Sequence, residues 1–163
     1  MSVAISGSGT ITGLTATGIS AQPVFPGNIL QVVNATYSTE ATRSSSTYAD
    51  TGLTASITPS SNSSKILALV NMAGLGKTTN ETYVRLQLLR GASVLALFEA
   101  VGGATATSAT NYFGSSSICY LDSPATTSST TYKVQFMSNN NVASVEICGN
   151  NCVSTMTLLE VAA

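Results

Sequence analysis

"YVRLQLLRGASVLALF", Tyr83 to Phe98, admits two readings, and the choice between them decides the fold. Its composition suits a helix. Its order does not: Val84, Leu86 and Leu88 alternate with Arg85, Gln87 and Leu89, the period of a strand with one face buried, and "RGAS" sets a glycine-bearing turn between two such halves. The stretch therefore reads as a β-hairpin.

The same grammar extends outward from it. "ILQVV" from Ile29, "LTASIT" ended by Pro59, and "KILALVNMA" from Lys65 precede the hairpin; the last is apolar enough to predict a core strand buried on both faces. After it come the loop 102–111, "YFGSSSICYL", the hydroxyl-rich loop 123–131, and "TYKVQFM", in which Tyr132, Val134 and Phe136 share a face. "NNN" at 139–141 is a turn signal before "VASVEIC", and "STMTLLEV" is a final strand. Short apolar runs punctuated by Ser, Thr, Asn and Gly at such intervals predict an all-β sandwich or barrel over 29–163, with no convincing helix.

Residues 1–28 differ. "SGSGTITGLTATGISAQPVFPG" scatters Gly and Pro among Ile5, Ile11, Leu14, Ile19, Val24 and Phe25, at a spacing that fits neither helix nor long strand. We read an extended arm that orders by lying on something else, with a disordered terminus as the competing reading.

Composition narrows the function classes. A chain of 163 residues is one domain, which buries roughly two-thirds of the surface of its unfolded form. Only 8% of residues are charged and the net charge is -1, while Ser and Thr exceed a quarter of the chain, so hydroxyls must wet the surface. Six scattered bases make no stripe for nucleic acid or for a membrane surface. No run is long enough to cross a bilayer, and "MSVAISGSGTITG" lacks the basic and apolar regions of an export signal, which predicts synthesis in the cytoplasm.

The motifs that resemble chemistry are weak. "GLGKTT" follows an apolar strand as a phosphate loop would, with Asp122 as a magnesium partner, yet Asn71 stands where the first glycine should be. Asp50-Thr51-Gly52 matches the aspartic-protease tripeptide but equally suits a turn. A serine triad lacks its histidine, since the chain has none, and no spacing rule pairs Asp50, Glu81, Glu99 and Asp122 for glycoside hydrolysis. Three N-x-[ST] triplets, at Asn34, Asn62 and Asn80, are expected by chance in so hydroxylated a chain. The reading is of no enzyme and no cofactor. Three cysteines without histidine make a poor metal site, so no metal is expected. In "CGNNC", Cys148 and Cys152 either flank a short hairpin loop as free thiols or bridge in an oxidising medium.

The ordered set "ILQVVNATYST", "DTGLTASITPSSNSSKILALV", "YLDSPATTSSTTYKVQF" and "STMTLLEVA" resembles a domain of bacteriophage tail-fibre and other virion surface proteins, especially those of cyanobacterial and marine phages. The resemblance covers roughly residues 29–162. It implies a jelly-roll sandwich, usually a homotrimer, on the virion surface. Fibres of the family carry a long attachment and stalk region before this domain. Here a short arm precedes it, the layout of a capsid decoration or cement protein, with the arm's apolar residues as docking contacts for the major capsid protein or another virion component. The alternative is a tail-fibre tip that recognises host surface glycan through loops 102–111 and 123–131.

Overall fold

The computed structural model describes residues 25–78, 81–105, 108–141 and 143–163. Ten strands follow one another there: β1 (Ile29–Tyr37), β2 (Ala41–Arg43), β3 (Ala49–Ile57), β4 (Lys65–Lys77), β5 (Val84–Arg90), β6 (Ser93–Gly102), β7 (Asn111–Asp122), β8 (Thr130–Ser138), β9 (Val145–Ile147) and β10 (Ser154–Val161). The larger sheet runs β1-β10-β4-β9-β2, with β7 also paired to β4, and the smaller runs β3-β8-β5-β6.

The pairing is that of one long hairpin rolled up, short β2 lying against β9. β1 lies against β10, β3 against β8, β4 against β7 and β5 against β6, all antiparallel. The first strand thus meets the last, and each later strand meets one correspondingly nearer the middle. The innermost turn is the predicted one, where Gly91 takes φ +56 and its N–H donates to Thr131 O at 2.8 Å. This is a jelly-roll sandwich, as the resemblance implied.

Alternation fills the space between the sheets. Leu53, Ala55 and Ile57 of β3, Val84, Leu86 and Leu88 of β5, and Tyr132, Val134 and Phe136 of β8 meet Ile66, Ala68, Val70 and Met72 of β4 and Met156 and Leu158 of β10. The expectation that "KILALVNMA" is covered on both faces is corrected. Leu67, Leu69 and Asn71 point outward, and Leu69 is 41% exposed. β4 is central within its sheet, but among the described residues only one sheet stacks upon it.

Two polar clamps tie the layers. Asp122 on β7 accepts the Tyr132 hydroxyl at 2.6 Å and Arg90 at 2.8 Å, so three strands from both sheets meet at one carboxylate. Burial, and then that carboxylate, push the Tyr132 hydroxyl's pKa above the phenolic range. On β10, Glu160 accepts from Ser60 N at 2.7 Å, Ser60 Oγ at 2.6 Å and Gln31 Nε2 at 2.6 Å, which pins the β3–β4 connection to β10 and β1.

The segment Gly149–Asn151 is not the predicted hairpin loop. It is a 3₁₀ turn between β9 and β10, which do not pair with each other. Cys148 and Cys152 are free thiols; Cys148 is buried, its Sγ 3.2 Å from Ser154 Oγ.

Two outcomes test these clamps. Although burial of Glu160 opposes ionisation, hydrogen bonds from Ser60, Gln31 and Ser64 hold its pKa at about 2, below the ordinary 4.5. A carboxyl lowered in this way stabilises the fold fully above about pH 4.5, and that contribution is lost as pH falls towards about 2. In equilibrium urea unfolding across that window, Glu160→Gln is expected to cost about 1–3 kcal/mol at neutral pH and to flatten the acid slope. An unchanged slope would contradict the clamp. Tyr132→Phe, which deletes only the buried hydroxyl, is expected to lower unfolding free energy by about 1–2 kcal/mol in the same assay.

Candidate assembly surface

Register sets the outward face of the larger sheet in rows, because directly paired residues of antiparallel strands share a face. Val32, Leu159, Leu67 and Leu121 form one row across β1, β10, β4 and β7. Asn34, Thr157, Leu69 and Cys119 form the next, and Thr36, Thr155, Asn71 and Ser117 the third. Ile29, Val161 and Lys65 continue the pattern at the end where β1 begins, and Lys65 is the one charged residue in these rows.

The apolar part is open to water: Val32 is 58% exposed and Leu121 51%. A depression of about 350 Å³ lies on this face, bordered by Leu69, Asn71, Ser117, Cys119, Thr155 and Thr157. The hydroxyl part pairs within itself, Asn34 Nδ2 donating to Thr157 Oγ1 at 2.9 Å and Ser117 Oγ to Asn71 Oδ1 at 2.8 Å.

The smaller sheet shows water a different surface. Lys133 Nζ lies 2.9 Å from the Asp50 carboxylate, Gln135 Nε2 donates to Asp50 at 2.7 Å, and Gln87 Nε2 donates to Gln135 Oε1 at 2.8 Å. Those bonds, from Lys133 and then Gln135, hold the Asp50 carboxyl below its usual range. On edge strand β6, Val94, Leu97 and Val101 stand exposed, Val94 opposite Leu89 and Leu97 opposite Gln87. One outer face is thus a charged network with a greasy edge, and the other is nearly uncharged. Contiguous exposed apolar surface of this kind marks contact with something else.

The residues that resembled chemistry hold the fold. Gly74 of "GLGKTT" takes φ +60, and a Cβ there would stand 2.5 Å from the Gly149 backbone. Gly76 likewise leaves room for the Tyr112 ring, so both glycines serve packing, inside a strand. Lys77 is buried and donates to Thr105. In the protease-like tripeptide, Thr51 Oγ1 donates to Val134 O at 2.9 Å and accepts from Leu53 N at 3.1 Å.

The candidate carboxylates have separate partners. Asp50 has Lys133 and Gln135, Asp122 has Arg90 and Tyr132, and Glu99 accepts from the amides of Ala100 and Val101. Among the described residues no group of three or more His, Cys, Asp or Glu gathers as a metal site.

Of the arm residues, Ile5, Ile11, Leu14, Ile19 and Val24 lie outside the described residues, and Phe25 is 62% exposed. The two loops read as glycan candidates attach at opposite ends of β7. Sequence reasoning missed the outward rows. The alternation of β4 carried half of that signal, but the rows exist only once register is known.

No family model matches the chain, and no curated protein matches it in sequence. Among solved structures, the subviral particle of infectious bursal disease virus VP2 is similar at a TM-score of 0.36 and 12% identity, over 82% of this chain and 37% of that one. The chain thus spans under half of that neighbour's length, a likeness too loose to carry anything about its role.

Proposed function

We propose that this protein is a non-enzymatic structural part of a bacteriophage particle: a homotrimeric decoration or cement module, or a short fibre, at the virion surface and made in the host cytoplasm. One observation supports it above the others. The described surface leaves two apolar zones open, while the carboxylates of Asp50, Asp122 and Glu160 are tied to the fold. A ligand site needs convergent polar groups in a concavity. In the depression on the larger sheet, the Asn71 amide oxygen is taken by Ser117 and Thr157 by Asn34, with Leu69 and Cys119 beside them.

In this reading copies meet through the β6 stripe of Val94, Leu97 and Val101, and the arm with the uncharged face engages the major capsid protein or another coat component. Burying such zones by assembly keeps a chain of low charge dispersed. The sequence resemblance to phage surface domains supplies the particle.

Analytical ultracentrifugation is expected to give the mass of a trimer. Leu97→Asp is expected to shift that towards a single chain while changing unfolding free energy by only about 0.5 kcal/mol, as for other exposed positions. Purified protein is expected to co-sediment with particles that lack it. A single-chain mass for the unaltered protein, or failure to co-sediment, contradicts the corresponding half of the reading.

A further inference from the structure

We propose that Glu146 and Glu40 together hold a calcium ion on the outer side of the larger sheet, where β2 and β9 meet the Gly149–Asn151 turn. Two acidic side chains alone make no metal site. What points to a ligand is that one of them is shut in without a donor. Glu146 is only 7% exposed, and no hydrogen-bond donor or base among the described residues reaches its carboxylate. Asp122 and Glu160, the other buried acids, are each well supplied. A buried carboxylate with nothing to answer it is costly, and a bound cation removes that cost.

Register brings further oxygens to the same place. Val145 and Ile147 point into the core, so Glu146 between them points outward. Its partners are Gly76 of β4 on one side and Thr42 of β2 on the other. Ala41 packs inward, which turns the Thr42 hydroxyl to the Glu146 side. Glu40, exposed just ahead of β2, is near enough for its charge to act on Glu146. Above them lies the turn. A Cβ on Gly149 would stand 1.7 Å from Glu146 Oε1 and 3.4 Å from Gly74 O, so a side chain there would fill the gap. The carboxylate oxygen and the main-chain carbonyl thus lie within about 5 Å, a span that two ligands of one calcium ion bridge at about 2.3–2.6 Å each.

The donor set chooses the ion. Two carboxylates, a hydroxyl and a carbonyl are hard oxygens in an irregular array, completed by water on the open side; calcium accepts that, whereas magnesium demands a tight octahedron and zinc prefers nitrogen or sulfur. Lys77, the nearest base in register, pairs with Val145 and is buried on the opposite side of the sheet, where it donates to Thr105. Burial, and then the Glu40 charge, raise the Glu146 carboxyl above its ordinary range, so calcium competes with a proton and binds more tightly as pH rises.

Two readouts at about pH 8 test the site. In thermal unfolding, about 10 mM calcium is expected to raise Tm by about 3–6 °C over chelator at matched ionic strength, for a site of millimolar affinity. Terbium is the second probe: Tyr112, whose partner Gly76 also pairs with Glu146, sensitises its emission, and calcium is expected to quench that by competition. Glu146→Gln and Glu40→Gln are each expected to abolish both responses, yet in chelator to melt no lower than the unaltered chain, since each removes a charge that no protein group answers. No response overturns the proposal, as does one that survives either substitution or is matched by magnesium. A lower Tm of Glu146→Gln in chelator, or its failure to fold, also overturns it by showing the carboxylate already satisfied within the protein. The site lies in one chain and is read without particles, so this inference and the proposed function fail separately.

Discussion

The sandwich depends on β10 reaching the slot between β1 and β4. Until it does, β1 has no partner in its sheet, and the inward row of Met156 and Leu158 is missing from the core. Arrival of β10 also brings Glu160 to Ser60 and Gln31, which locks the connection by which the chain passes from the smaller sheet to the larger. Every main ladder except β5–β6 joins segments far apart in sequence, so backbone entropy is lost well before the ladders repay it, and folding belongs in the slow range typical of non-local β topologies.

Scarcity of charge gives each charged residue weight. Asp122 gathers Arg90 and Tyr132 between the sheets, and Glu160 gathers three donors at the end of β10. A buried carboxylate is tolerated only where its oxygens are fully supplied with donors, and both are.

How much was legible in the sequence follows the reach of the signal. The hairpin at Gly91 was readable because Val84, Leu86 and Leu88 carry a local period and the turn residue sits between them. The inward face of β8, Tyr132 to Phe136, was readable for the same reason. The error at β4 has a definite cause. Leu67 and Leu69 are as apolar as Ile66 and Ala68, and only the position of the second sheet decides which pair is covered. "CGNNC" suggested a local hairpin, but its geometry is set at a distance, by Cys148 N donating to Ala73 O and by Gly74 beneath it. The outward rows were beyond reach of the sequence, since they depend on pairings such as Leu67 with both Leu121 and Leu159.

The near absence of charge from the rows around Leu67 and Leu69 bears on what conditions would loosen a cover over them. Coulomb attraction is screened by dissolved ions within about 10 Å at moderate salt, whereas water-exclusion is not weakened by them. Whatever seats on this face is therefore held at least as firmly in brine as in dilute buffer. It loosens instead on chilling, because the release of ordered water that drives such contacts fades towards freezing.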